Sequence, residues 1–210
     1  MANIVPTILS NDLNDVKQKL TQLSGLVELV QIDLMDGEFV SAKSITAEEL
    51  QTIETGIPLE AHLMVQDPSQ WLPYLSPDLF RRVYFHVEAL PNPETFILQA
   101  KQIGFEVGLA VKMTTPITDI ENIVGMVDSV LFMSVEPGQQ GQSFDPAVLE
   151  KIDNFINQFP EHLVAIDGGV SRENIDSIVK VGVENLSVGS AIFGGGDIAE
   201  NIKELKELIT

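Results

Sequence analysis

Asp33 lies inside the run Gln31-Ile32-Asp33-Leu34-Met35-Asp36-Gly37, which follows the apolar stretch Leu26 to Val30 and is closed by a glycine. Along a strand, alternate side chains face opposite sides. Gln31, Asp33 and Met35 therefore share one face, and Val30, Ile32 and Leu34 the other. A carboxylate in such a run costs several kcal/mol to desolvate unless it is paired, which makes it a functional candidate. A second carboxylate, Asp167, ends the similar run Leu163–Asp167. Two carboxylates held out of water can divide the work of acid and base, one giving a proton and the other taking it. Reading the ends of the other apolar runs in order adds Ser10, Met35, His62, Met64, His86, Met133 and the pair Gly189-Ser190.

Those residues need a scaffold that gathers strand ends. Short β-branched or apolar runs recur at Ile4–Leu9, Leu29–Met35, Leu59–Met64, Arg82–Val87, Glu106–Val111, Ser129–Val135, Leu163–Asp167 and Asn185–Val188. Their starts fall roughly 22 to 34 residues apart, the spacing of strands separated by helices. Between them run helical stripes: Leu13, Val16, Leu20 and Leu23; Val148, Leu149, Ile152, Phe155, Ile156 and Phe159; and Ile198, Ile202, Leu205 and Ile209. Ser171 with Asn174, and Asp197 before Ile198, mark helix starts. Eight such units in 210 residues come to about 26 each. The expected fold is α/β, a (β/α)8 TIM barrel formed by residues 1–210 as a single domain, in preference to an open doubly wound sheet. Reacting groups then belong at the carboxyl ends of the strands.

Composition narrows the chemistry. Twelve basic and 31 acidic residues give a net charge of −19. That opposes nucleic acid, which needs a positive surface, and leaves any phosphate to local donors such as backbone N–H groups. The absence of cysteine excludes disulfides, thiolate metal sites and a thiol nucleophile, and it suits a reducing compartment. Neither a basic-then-apolar leader nor a membrane-length apolar stretch is visible, so a cytoplasmic protein with no membrane partner is expected.

In order along the chain stand Pro6-Thr7-Ile8-Leu9-Ser10, Asp33-Leu34-Met35-Asp36-Gly37, His62-Leu63-Met64-Val65 and His86-Val87-Glu88-Ala89. They are followed by Met133 to Gly138, Gly141-Gln142-Ser143-Phe144, Asp167-Gly168-Gly169-Val170 and Gly189-Ser190-Ala191-Ile192-Phe193. With these motifs the chain resembles the ribulose-phosphate 3-epimerase family over almost its whole length. The resemblance implies a TIM barrel of the ribulose-phosphate-binding type and an isomerase of carbohydrate metabolism in the pentose phosphate pathway, interconverting ribulose 5-phosphate and xylulose 5-phosphate. It implies Asp33 and Asp167 as acid/base catalysts, and one divalent ion (Zn, Mn, Mg or Fe) held by Asp33, His62 and Asp167 to stabilise the enediolate. Met35, Met64 and Met133 would line the site and Ser10 would bind the sugar. Gly138, Gln139, Gln140, Gly141, Gly168, Gly169, Gly189 and Ser190 would receive the phosphate, and the loop Glu136 to Phe144 would close as a lid. Barrels of this family commonly associate as homo-oligomers, but no surface signature here fixes a number.

The match has gaps. The family places a metal-binding histidine two residues before the first aspartate, and Gln31 stands there, a candidate fourth ligand that suits hard cations better than zinc. If no metal binds, the two aspartates should repel and raise one pKa. Ser41-Ala42-Lys43-Ser44 and Gln139-Gln140 also depart from the family pattern, which opens two alternatives: an epimerase of another ketose phosphate such as allulose 6-phosphate, or a phosphosugar-binding barrel without catalysis. Taken one by one, the features have plainer readings: loop-capping aspartates, a hydrogen-bonded core histidine, packing methionines and turn glycines. His162, just before a strand, is assigned no role, and Trp71 and Tyr74 are expected to pack the third helix.

Overall fold

The computed structural model describes residues 2–139 and 141–209. Eight strands, β1 (Asn3–Ile8), β2 (Val30–Met35), β3 (Leu59–Met64), β4 (Phe80–His86), β5 (Glu106–Val111), β6 (Ser129–Met133), β7 (Leu163–Asp167) and β8 (Asn185–Val188), pair in parallel in sequence order. β1 pairs with β8, which closes the barrel. The helices are α1 (Leu13–Leu23), α2 (Ala47–Leu50), α3 (Pro93–Ile103), α4 (Glu121–Val124), α5 (Ala147–Gln158), α6 (Ile175–Val181), α7 (Ser190–Phe193) and α8 (Ile198–Leu208).

The expected strands are all present, with small shifts at their ends. β4 begins at Phe80, two residues before the expected Arg82, and β6 ends at Met133. Beyond it Ser134 turns its hydroxyl onto the carbonyls of Asp167 and Gly168, binding the end of β6 to the end of β7. The expected third helix is replaced by two 3-10 turns, Pro68–Gln70 and Leu72–Tyr74, so Trp71 and Tyr74 belong to those turns instead. Pro68 and Pro73 explain the change: each lacks an N–H, and neither permits a continuous α-helical ladder. The three expected stripes lie on α1, α5 and α8, whose inner faces bury Val16, Leu20 and Leu23; Val148, Ile152 and Phe155; and Ile202 and Leu205. Asp197 caps α8 by accepting from the Glu200 N–H.

Two different cores result. Outward strand residues such as Val30, Ile32 and Leu34 pack with the helices into one large apolar shell. The space inside the barrel is much more polar. Its apolar part is Tyr84, Ala110, Leu131, Met133 and Ala165. The rest holds buried Gln31, Asp33, Glu60, His62, Arg82, His86, Ser129, Asn185 and Ser187. Low in the barrel Arg82 binds Glu60 at 3.1 Å and Glu106 at 2.6 Å, and Tyr84 accepts from Ser129 at 3.1 Å. Burial pushes Glu60 up to about 7 despite Arg82. His162 bonds the Val124 carbonyl and packs its ring on Phe155 and Phe159, a structural role.

Candidate active site

The strand register brings the candidates together. Asp33 is level with His62 on adjacent strands, and Met133 is level with Asp167. Asp167 in turn is level with Ser187. Alternation then aims Gln31, Asp33, His62, Asp167 and Ser187 into one space at the barrel mouth. His62 Nδ1 lies 3.1 Å from Asp33 Oδ1 and 3.3 Å from Asp167 Oδ2. One ligand atom from each of Asp33, His62 and Asp167 falls within 4.8 Å of the others. Two carboxylate oxygens and an imidazole nitrogen at this spacing could hold a divalent ion, and these three residues therefore fit a metal. Gln31 differs: its Nε2 points inward, 2.8 Å from Asp33 Oδ1 and 2.6 Å from Asp167 Oδ2. Its Oε1 faces away and accepts from Ser187 Oγ at 2.8 Å.

Burial and neighbours set the charge states. Burial and the nearby Asp167 charge raise the Asp33 pKa, outweighing the hydrogen bonds from His62 and Gln31. This is the rise expected for two carboxylates sharing a site. Burial works against a charged His62, but hydrogen bonds to Asp167 and Asp33 raise it to about 9. Behind it, His86 Nε2 sits 3.0 Å from His62 Nε2, and His86 Nδ1 3.3 Å from Glu88 Oε2. Burial lowers His86 to about 4, so it stays neutral. Glu88 resists its own burial through bonds from His86, Thr115 and the Lys112 N–H, and is held down at about 2.

A cavity opens above this cluster. Met64, Met133, Gly138, Gln139, Gly141, Gly168, Gly169, Gly189 and Ser190 line it. Gln140 lies outside the described residues. Ser10 and Met35 do not line it. Ser10 instead accepts from the Asp12 N–H near the start of α1, and Met35 is buried behind the mouth. The hydroxyl offered to the cavity is that of Thr7, whose Oγ1 is buried and without a protein partner. Thr7, Ser187 and Glu88 are not singled out as site residues by the sequence, and His86 is read there as a strand-end candidate without a role. The available signals were inward polar positions on β1 and β8 and the His-x-Glu spacing after β4.

The loop after β6 packs against its neighbours through glycine. A Cβ at Gly169, where φ is +60°, would stand 2.6 Å from the Phe144 nitrogen. Only glycine lets the loop lie this close. A Cβ at Gly138 would meet Val40 at 2.9 Å. Gln142 Nε2 donates to the carbonyls of Glu136 and Gln139, at 2.6 and 3.1 Å, and so ties the loop to itself. Asp36 orders the facing loop by accepting from the N–H groups of Glu38, Phe39 and Gln66.

The model of the ribulose-phosphate 3 epimerase family matches residues 3–193. The chain belongs to that family. Ribulose-phosphate 3-epimerase of Mycobacterium bovis is 32% identical over 209 residues, covering 97% of this chain and 91% of the relative. The Bacillus subtilis protein of the same name is 30% identical, covering 98% of this chain and 99% of its own. Among solved structures, 3-hexulose-6-phosphate synthase from Salmonella typhimurium superposes with a TM-score of 0.71 at 14% identity, covering 99% and 98% of the two chains. At that identity the likeness shows the barrel alone. Family membership makes the chain an isomerase-class enzyme scaffold. Among the described residues no helix is long and apolar enough to cross a membrane.

Proposed function

We propose that this family member is a ketose-phosphate 3-epimerase acting on ribulose 5-phosphate and xylulose 5-phosphate. The observation that carries the reading is the pair of inward carboxylates, Asp33 and Asp167, both within reach of His62 Nδ1 at the base of the cavity. Inverting C3 requires a proton to leave one face of the sugar and another to arrive on the opposite face. One carboxylate as base and the other as acid meet that requirement, and the raised Asp33 pKa favours Asp33 as the partner that carries the proton. Thr7 offers an unused hydroxyl to the sugar. Met64 and Met133 keep water from the carbanionic carbon. Gly168, Gly169, Gly189, Ser190, Gly138, Gln139 and Gly141 form the opposite side of the cavity, where backbone N–H groups are suited to a phosphate.

Asp33, His62 and Asp167 would hold a divalent ion, which when bound supplies Lewis-acid stabilisation of the sugar oxygens. Two carboxylates and one imidazole suit manganese or magnesium as well as zinc or iron.

The test is proton exchange. Incubation of ribulose 5-phosphate in D2O should place deuterium at C3. Asp33→Asn and Asp167→Asn should each slow exchange by about 10²- to 10⁴-fold. Either variant exchanging as fast as the wild type ends this mechanism. A panel that includes allulose 6-phosphate decides between pentulose and hexulose phosphates. Gln31 favours one second reading, a barrel that binds phosphosugars without turnover, and measurable exchange disposes of it.

A further inference from the structure

The Gln31 side chain uses both of its N–H donors and its oxygen inside the site. Its two N–H bonds match two carboxylates, Asp33 at 2.8 Å and Asp167 at 2.6 Å, and its oxygen accepts from Ser187 at 2.8 Å. The reverse orientation would set the amide oxygen against two carboxylate oxygens, with the His62 Nδ1–H as the one nearby donor and both amide N–H groups turned away from the carboxylates. Nε2 is also 3.4 Å from His62 Nδ1. One nitrogen therefore sits beside the ligating atoms of all three residues that could hold a cation. Both Gln31 and His62 are fully buried, so water does not compete for these bonds.

We propose that the Gln31 amide, oriented by Ser187, is a built-in substitute for the cation between Asp33 and Asp167, so that a divalent ion enters only by displacing it. The partial positive charge on the N–H2 group, beside the His62 Nδ1–H, holds the two carboxylates together when no ion is bound. A cation draws its affinity from those same oxygens, so each Gln31 hydrogen bond it must break weakens its binding. Ser187 keeps the amide nitrogen inward because its hydroxyl proton is given to Oε1. This makes Gln31 a competitor of the metal, the opposite of a fourth ligand. The proposal concerns metal occupancy and holds whichever sugar the site accepts.

The deciding measurement is the direction in which Mn²⁺ affinity moves when the amide is removed. Metal-free wild type and Gln31→Leu are titrated with Mn²⁺ by calorimetry. The variant should bind at least about tenfold more tightly, as expected when charge-assisted hydrogen bonds no longer have to be broken. Its thermal midpoint should be lower than that of the wild type without metal and should rise more when Mn²⁺ is added. Weaker or unchanged Mn²⁺ binding in Gln31→Leu overturns the proposal, because a ligating oxygen would then be lost or the amide would be irrelevant. Should the variant fail to fold, side-chain amide NMR of the wild type decides. The Gln31 N–H2 protons should be protected from solvent exchange without metal and should shift on saturation with Zn²⁺. Rapid exchange without metal, or signals unmoved by saturating Zn²⁺, overturns it equally.

Discussion

A directed line of hydrogen bonds runs from the two aspartates toward the rim. Glu88 can only accept at its held-down pKa, so His86 must carry its proton on Nδ1 and present a bare Nε2. His62 must then donate from Nε2, which leaves Nδ1 to face Asp33 and Asp167. Glu88, acting through His86, thus helps orient the His62 ring so that Nδ1 faces the site. Its depressed pKa also gives a sign to stability. The ordinary value is 4.5 and the folded value about 2. The folded state therefore gains from ionised Glu88 above about pH 4.5, and the gain is lost as pH falls toward 2. Glu88→Gln should lower stability by about 1 to 3 kcal/mol at pH 7, with the gap to wild type shrinking below pH 4.5, as urea midpoints would show. A gap independent of pH would mean that packing, not charge, is what Glu88 provides. Asp33, Asp167 and His62 were legible because their residue types are unusual for strand interiors. Gln31 was legible only as a missing histidine, since an amide's orientation depends on partners contributed by strands far away in the chain.

Strands and loops set the distances that matter. Gly108 in β5 lies against Tyr84 so closely that a Cβ there would stand 2.1 Å from the ring. Tyr84 is fully buried and has no space to retreat, so Gly108→Ala should cost about 1 to 3 kcal/mol in a thermal or urea melt. At the mouth, Gly169→Ala would push the Phe144 backbone away at a positive φ. Inorganic phosphate and phosphosugar affinity should then fall by about tenfold with little change in the far-ultraviolet spectrum. Unchanged phosphate affinity would place the anion elsewhere. Four strands, β3, β5, β7 and β8, begin and end where their β-branched runs do, because inner and outer faces are both buried and the pattern is unbroken. The segment after β3 was not legible as 3-10 turns: the apolar Trp71, Leu72, Tyr74 and Leu75 suggest a helix, while Pro68 and Pro73 decide against it. Ser10 was placed at the mouth by its position after β1, but the strand stops at Ile8 and leaves Thr7 as the last inward hydroxyl.

The whole molecule carries −19 charges, and a phosphorylated sugar must approach against them. Raising salt from about 20 to 200 mM shortens the Debye length from roughly 20 to 7 Å, so KM for a phosphosugar should fall severalfold while kcat stays constant. A KM that rises with salt would point to a local positive funnel strong enough to override the net charge. The barrel interior has another consequence, a calorimetric one. Exposing apolar surface on unfolding adds to the heat capacity and exposing polar surface subtracts from it. Glu60, Arg82, Ser129, Asn185, Gln31, His62 and His86, all buried along the axis, supply the subtracting kind where many proteins would place leucine and valine. Their release trims the curvature of free energy against temperature, which broadens the thermal range over which the fold holds.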